Sequence, residues 1–328
     1  MIKIRPYEAG DEQGFQALDK LLEVHPWNRR DLANWQWKFR GKNPAGEPII
    51  FIAEDQGEMI AHFAAIPMLY YIDGEIIRGS HSTAMMTKPE FQNRGLVKFV
   101  ADKLFKELLN QKIPFTYGYP NDNAYDLHKK HMGYHDINMQ PLWEKKLHQN
   151  INIPRLTYHT SLSFLEIALF DNRVNDLWEK AKGNFKTIVV RNDQFLNWRY
   201  ISRPDIHYHV YGAYDHEKLV AYCVLKLYRE DKILRGHFID LFTIPGEKIY
   251  GSFLLQKGLE FFCGKQVDEV NLWMQGSLFF GELLREFGFE VISSRPLICR
   301  FNLDQDKFKP LLTAEDWYFT MGDTLEIY

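Results

Sequence analysis

The sequence predicts an α/β fold built from two similar copies, each a mixed, mostly antiparallel sheet flanked by helices. Three observations predict it. β-rich runs with tight polar turns alternate with runs of helical spacing. Several landmarks recur in the same order at an offset of roughly 160 residues. The chain has 328 residues with 45% hydrophobic content, enough for two moderate cores.

Taken in order, MIKIRPY alternates like a short strand. Residues 9–24 carry Phe15, Leu18, Leu21 and Leu22 at helical spacing after an acidic first turn, which predicts a helix. A loop with prolines and glycines at 40–48 leads into PIIFIAED, MIAHFAAIPMLYYI and EIIRGSHSTAMMT. These runs are separated by QGE and DG turns, and they predict an antiparallel meander. In residues 96–111, Leu96, Phe99, Val100, Leu104 and Leu108 fall on one helical face with charges opposite. IPFTYGY then reads as a strand, and NDNAYDLHKKHMGY as a helix closing at Gly133.

The repeat shows when this order is laid over the second half. Asp31, Asn34 and Trp35 with Trp37 are matched by Asp193, Asn197 and Trp198 with Tyr200. IIRGSH at 76–81 recurs as ILRGHF at 233–238, and HKKHMGYHDI as LLREFGFEVI. Landmarks kept in order over half the chain argue for duplication. We place the copies at 1–150 and 151–328, with the boundary region at 145–185.

Forty basic and 43 acidic residues give a formal charge of -3, which offers no net attraction to nucleic acid or an anionic membrane. Cys223, Cys263 and Cys299 are far apart and outside any CxxC spacing, so neither a disulfide framework nor a zinc site is indicated. No metal is expected elsewhere. His128, His131 and His135 are split by the helix end at Gly133, and His207 and His209 make at most half a site. The N-terminus turns acidic within a dozen residues without an apolar leader, and apolar runs such as SLSFLEIALF fall short of a membrane span of ~20 residues. A soluble, cytoplasmic protein is expected.

The stretch KPEFQNRGLVKF, residues 88–99, carries the chemistry. A polar turn with one glycine enters a helix whose first backbone N–H groups lack intrahelical partners and whose dipole adds positive charge. Gly95 permits close approach of an anion, and Lys88, Arg94 and Lys98 stand nearby. GxGxxG and GxxxxGK[ST] loops need more glycines than this turn has. A pyrophosphate is the ligand that fits.

In its context of strand, proline, turn and helix, Pro89, Gln92, Gly95 and Val97 resemble the acyl-CoA loop of the GNAT acyltransferase superfamily, whose pattern is (Q/R)-x-x-G-x-(G/A). Val97 departs from the usual small residue. The resemblance extends over IKIRPYEAGD, the meander, and IPFTYGYPNDNAYDLHKKHMGYHDI. It implies acyl-CoA, most simply acetyl-CoA, as cosubstrate, held where the fourth and fifth strands splay apart. By the same resemblance Ala84, Met85 and Met86 offer backbone hydrogen bonds to the pantetheine arm. Gln92, Asn93, Arg94, Gly95, Leu96 and Val97 surround the pyrophosphate, and Asn123 contacts the cofactor.

The implied reaction is direct transfer of an acyl group to a primary amine, which needs a base for the amine proton and an acid for the thiolate. The family's tyrosine acid is absent here. His128 and Tyr125 are the candidates for acid, His81 and Glu54 for base. The second copy has IDLFTIPGEKIYGS where the phosphate turn belongs, which reads as a degenerate cofactor loop. RNDQFLNWRYISRP resembles a segment of GNAT-like proteins linked to surface-polysaccharide genes, which implies an amino-sugar acceptor. Two other readings stay open, a non-catalytic tandem GNAT-fold scaffold and a Fem-type aminoacyl transferase. The oligomeric state is also open, a homodimer being one option.

Overall fold

In the computed structural model the described residues are 1–22, 31–147, 153–154, 161–276, 279–303, 308, 311, 313 and 317–325. The first half runs β1 (Lys3–Pro6), α1 (Glu12–Leu21), α2 (Leu32–Arg40), β2 (Ile49–Asp55), β3 (Glu58–Ile72), β4 (Glu75–Thr87), α3 (Leu96–Asn110), β5 (Phe115–Gly118), α4 (Asp122–His131) and β6 (His135–Lys146). The second half runs β7 (Leu162–Glu166), α5 (Asn172–Ala181), β8 (Thr187–Val189), α6 (Asp193–Leu196), β9 (His209–Asp215), β10 (Lys218–Glu230), β11 (Ile233–Thr243), α7 (Lys248–Gly264), β12 (Glu269–Trp273), α8 (Phe279–Glu286), β13 (Glu290–Phe301) and β14 (Trp317–Tyr318). The expected order of the first copy is present, with α2 and β6 added. Of the boundary region expected at 145–185, residues 148–152 and 155–160 lie outside the described residues.

Among the described residues fourteen strands form one sheet. Its main path is β1-β2-β3-β4-β5-β13-β6-β12-β11-β10-β9-β7, while β8 pairs with the end of β3 and β14 pairs with β8. β2, β3 and β4 form the expected antiparallel meander. The centre was not foreseen. β13, from the end of the second half, lies between β5 and β6 of the first, and β6 lies between β13 and β12. Each half thus gives its last long strand to the other, so the sheet is continuous across the repeat.

α3 covers one face of the first half, where Leu96, Val100, Ala101, Leu104 and Leu108 pack with Phe51, Ala53 and Phe63. Phe99, expected on the buried face, is instead 60% exposed, and Ala101 and Phe105 take its place. At 3.6 residues per turn, position 99 falls on the shoulder of a stripe centred on 100 and 104.

Residues 317–325, near the end of the chain, run through the interior. Arg191 is fully enclosed, with Nη2 donating to both carboxylate oxygens of Asp323 at 2.8 and 3.0 Å. Arg199 Nε and Nη2 donate to the carbonyls of Gly322 and Thr324, and Tyr117 Oη donates to the carbonyl of Asp323 at 2.6 Å. The aromatic spacing of FLNWRY therefore serves packing: Phe195, Trp198 and Tyr200 are buried, and Trp198 stacks on Trp37 of the first half at 5.2 Å.

Candidate active site

The site begins where two parallel strands part. β4 and β5 pair only at Ser80 with Thr116 and His81 with Tyr117. Beyond these pairs β4 continues to Thr87, whereas β5 ends at Gly118 and turns into α4, capped by Asn121 at the Ala124 N–H. β4 bulges here. Between the pairs His62 with Met86 and Ala64 with Thr83 the register shifts, and Ala84 takes a φ of +53°. Such a bulge bends the strand and turns its backbone groups away from the regular ladder. His62 Nδ1–H donates to the Ala84 carbonyl at 2.8 Å and holds the bulge from behind.

The parting leaves a cleft in two connected parts, with Met85, Asn121 and Ala124 lining both. The outer part, of about 540 Å³, is lined by β4, the turn before α3 and the start of α4. The inner part, of about 120 Å³, ends against Phe63, Ser82, Gly118, Tyr119 and His128. A β-carbon on Gly118 would stand 2.6 Å from Ser82 Oγ, so glycine is what lets that serine sit at the inner wall.

The turn has the form an anion site requires. Asn93 and Gly95 adopt φ of +59° and +73°, and no side chain caps the 15-residue α3. Its first N–H groups therefore remain for a ligand. Gln92 has a holding role, since its Nε2 donates to the Thr87 carbonyl at 2.9 Å and ties the turn to the end of β4. The nearby cations are less available than the sequence suggests. Lys88 pairs with Glu58 and Glu90, and Lys98 with Asp102. Arg94 is exposed and rests on the ring of Phe91 at 5.7 Å.

Of the expected cofactor residues, Met85, Met86, Gln92, Asn93, Gly95, Leu96, Val97 and Asn123 line the outer part, and Ala84 with Met85 lines the inner one. Arg94 lines neither part. The lining residues that sequence reasoning missed include Thr87, Phe91, Asn121 and Leu127. Asn121 had a usable signal as the residue before an acidic first helical turn.

The four catalytic candidates separate. His128 is buried at 5% exposure and forms part of the inner wall. Tyr125 is half-buried on the outer side of α4, where its Oη donates to Asp136 at 2.8 Å and this bond raises its pKa. His81 is buried and stacked on Tyr117 at 4.7 Å, facing neither part of the cleft. Glu54 accepts from Arg5 Nε at 2.8 Å beside Asp11, within an ion-pair cluster on β1, β2 and α1. His131 and His135 are exposed while His128 is buried, so the three do not converge. Among the described residues no group of His, Cys, Asp and Glu could hold a metal ion.

Residues 3–134 match the model of the acetyltransferase (GNAT) domain. This part of the chain is similar to a GNAT acetyltransferase domain. No curated protein matches the chain in sequence. Solved structures with the same fold extend the likeness over nearly the whole length. A GCN5-related N-acetyltransferase from Anabaena variabilis matches at TM-score 0.70 and 16% identity, covering 92% of this chain and 73% of that one. A tandem GNAT protein from the clavulanic acid biosynthesis pathway matches at 0.64 and 14%, covering 93% and 99%. N-myristoyltransferase from Saccharomyces cerevisiae, solved with myristoyl-CoA, matches at 0.59 and 11%, covering 92% and 82%. Both halves therefore share the architecture of tandem GNAT proteins.

The second half departs from the first where its cleft would be. Glu247 is the residue before α7 and makes no side-chain cap, so a negatively charged residue stands in the turn that in the first half leads into an uncapped helix start. The chain end lies along the end of β11: Tyr318 Oη donates to the Leu241 carbonyl and Thr320 Oγ1 to Asp240 at 3.2 Å. Tyr318 also packs on Phe280 of α8 at 5.4 Å. The space beside β11 is filled by the chain itself.

Proposed function

We propose that the protein is an acyl-CoA-dependent N-acyltransferase, with acetyl-CoA as donor and a primary amine as acceptor. The observation that carries this is the cleft between β4 and β5, which joins an uncapped helix N-terminus at its outer end to a small chamber at its inner end. Pyrophosphate would lie against the N–H groups after Gly95. The pantetheine arm would run along the free edge of β4 past Met86 and Met85, taking the place of a missing strand. The thioester would then reach the chamber beside Ser82 and His128. N–H groups at the bulge would stabilise the oxyanion that forms when the amine attacks.

The first copy, 1–150, would supply the whole cofactor site. The second, 151–328, would supply strand β13 and the buried chain end, without a cofactor of its own. An amino sugar of surface-polysaccharide metabolism is the acceptor class we favour, on the strength of the RNDQFLNWRYISRP resemblance. A cytoplasmic location supplies acetyl-CoA.

Calorimetric titration with CoA and acetyl-CoA tests the assignment. Wild-type protein should bind both, and Gly95→Glu should bind at least about tenfold more weakly, because it sets a carboxylate against the pyrophosphate. Thiol release from acetyl-CoA in the presence of glucosamine tests the reaction. Unchanged CoA affinity in Gly95→Glu would place the cofactor elsewhere.

A further inference from the structure

Hydrogen bonding in the inner chamber fixes which atom there is able to carry a proton. His128 Nδ1 lies 2.7 Å from the carbonyl oxygen of Ala124. A carbonyl oxygen only accepts, so Nδ1 bears the hydrogen, and the neutral ring keeps its lone pair on Nε2. Edge contacts with Phe63 at 6.3 Å and Tyr134 at 4.8 Å hold the ring in place. The other hydroxyls on this wall are poorer candidates: Ser82 Oγ donates to the Tyr117 carbonyl at 3.2 Å, and burial raises the Tyr119 phenol well above its usual range.

We propose that His128 is a proton shuttle that rests as a base: Nε2 takes the proton of the attacking amine and then delivers it to the departing sulfur of CoA. This rests on the acyl-CoA reading above and adds the role and the order of transfer. The amine nitrogen bonds to the thioester carbon and acquires positive charge, and its N–H proton passes to Nε2. The carbon–sulfur bond then breaks with its electron pair on sulfur, and the imidazolium returns the proton to that thiolate. The products are the amide and the CoA thiol, and His128 ends neutral as it began.

The surroundings suit this order. Burial lowers the pKa of His128, with the Ala124 hydrogen bond opposing it. The imidazolium, once formed, is then a stronger acid than a thiol of pKa about 8.5, so proton delivery to sulfur runs downhill. Among the described residues, the groups packed on the ring add no charge that would reverse the shift. From β3 comes Phe63, from β4 Ser82, and after α4 the Tyr134 phenol, itself pushed up by burial. Arg300 of β13 is turned to the Met132 carbonyl and the Phe105 ring. On α4 itself Tyr125 and Lys129 point outward to Asp136.

Histidine-selective ¹⁵N NMR on the full chain, with and without CoA, tests the resting state. Nδ1 of His128 should be protonated at pH 7 and Nε2 bare, with titration below pH 6.5. His128→Gln should lower kcat for acetyl-CoA with glucosamine by about a hundredfold or more while acetyl-CoA affinity stays within about threefold. A proton on Nε2 at neutral pH, or wild-type kcat in a folded, CoA-binding His128→Gln protein, overturns the shuttle and leaves the acyl-CoA reading standing. If neither protein turns over glucosamine, the nitrogen protonation pattern alone decides. Failure of wild-type protein to bind CoA at all overturns the acyl-CoA reading itself.

Discussion

Gly95 and His237 show how differently single residues act in this protein. A β-carbon at Gly95 would meet nothing within 4 Å, so the glycine is required by its φ of +73° and not by crowding. Gly95→Ala should cost about 1 kcal/mol in urea unfolding and weaken CoA less than Gly95→Glu does. His237 is enclosed, stacked on Tyr228 at 4.5 Å, and burial followed by the nearby Lys226 charge lowers its pKa to about 3. The unfolded chain takes up this proton below about pH 6.5, whereas the folded chain refuses it until about pH 3. The stabilisation is therefore complete above pH 6.5 and is lost as pH falls through that window. Carboxylates with depressed pKa, such as Asp11 and Asp205, add their losses lower down. Urea unfolding between pH 4.5 and 6.5 should accordingly show a shallower slope in His237→Gln, by up to about 1.4 kcal/mol per pH unit.

At the scale of elements, the turn before α3 works because it is tied down. Gln92→Ala removes the bond to the Thr87 carbonyl from an exposed position, so the melting temperature should hardly move. CoA should bind a few-fold more weakly, as a looser turn pays more to order around pyrophosphate. Equal CoA affinity in calorimetry would show that the turn orders itself without Gln92. The meander, α3 and α4 were legible in the sequence because each has one buried face and a clear turn or cap. α2 was not. It sits between the two halves and buries Asn34, Trp35, Trp37, Lys38 and Phe39, so it has no polar stripe to betray a helix. Tyr125 and His128 illustrate the same limit. One helical turn apart on α4, they take different partners, Tyr125 bonded to Asp136 and His128 lining the chamber.

Across the whole molecule, strand exchange and the buried chain end make the halves depend on each other. Residues 1–150 alone would lack β13, leaving β5 and β6 without the strand between them. Expressed separately they should fail to bind CoA, and coexpression with 151–328 should restore binding. A folded, CoA-binding 1–150 fragment would show that the exchange is dispensable. Arg191 is the second point of dependence. It lies within 3.4 Å of Asp240 and holds Asp323, so Arg191→Met leaves two buried carboxylates without their cation. A loss of about 3–5 kcal/mol is expected, with faster amide exchange in residues 317–325.

The sequence by itself determined what neighbouring residues decide: the anion-ready turn around Gly95, the meander, the helices α3 and α4 and the internal repeat. Each depends on backbone conformation or periodicity within a few turns of chain, where one residue's chemistry constrains the next. Tertiary structure alone decided that β4 and β5 part after two pairs, that β6 and β13 change places, and that the chain end fills the space beside β11. Those outcomes come from packing between residues far apart in the chain, such as Tyr117 with Asp323 and Arg191 with Asp323. No local spacing encodes such partners, because burial and hydrogen bonding select them only when the whole sheet has formed.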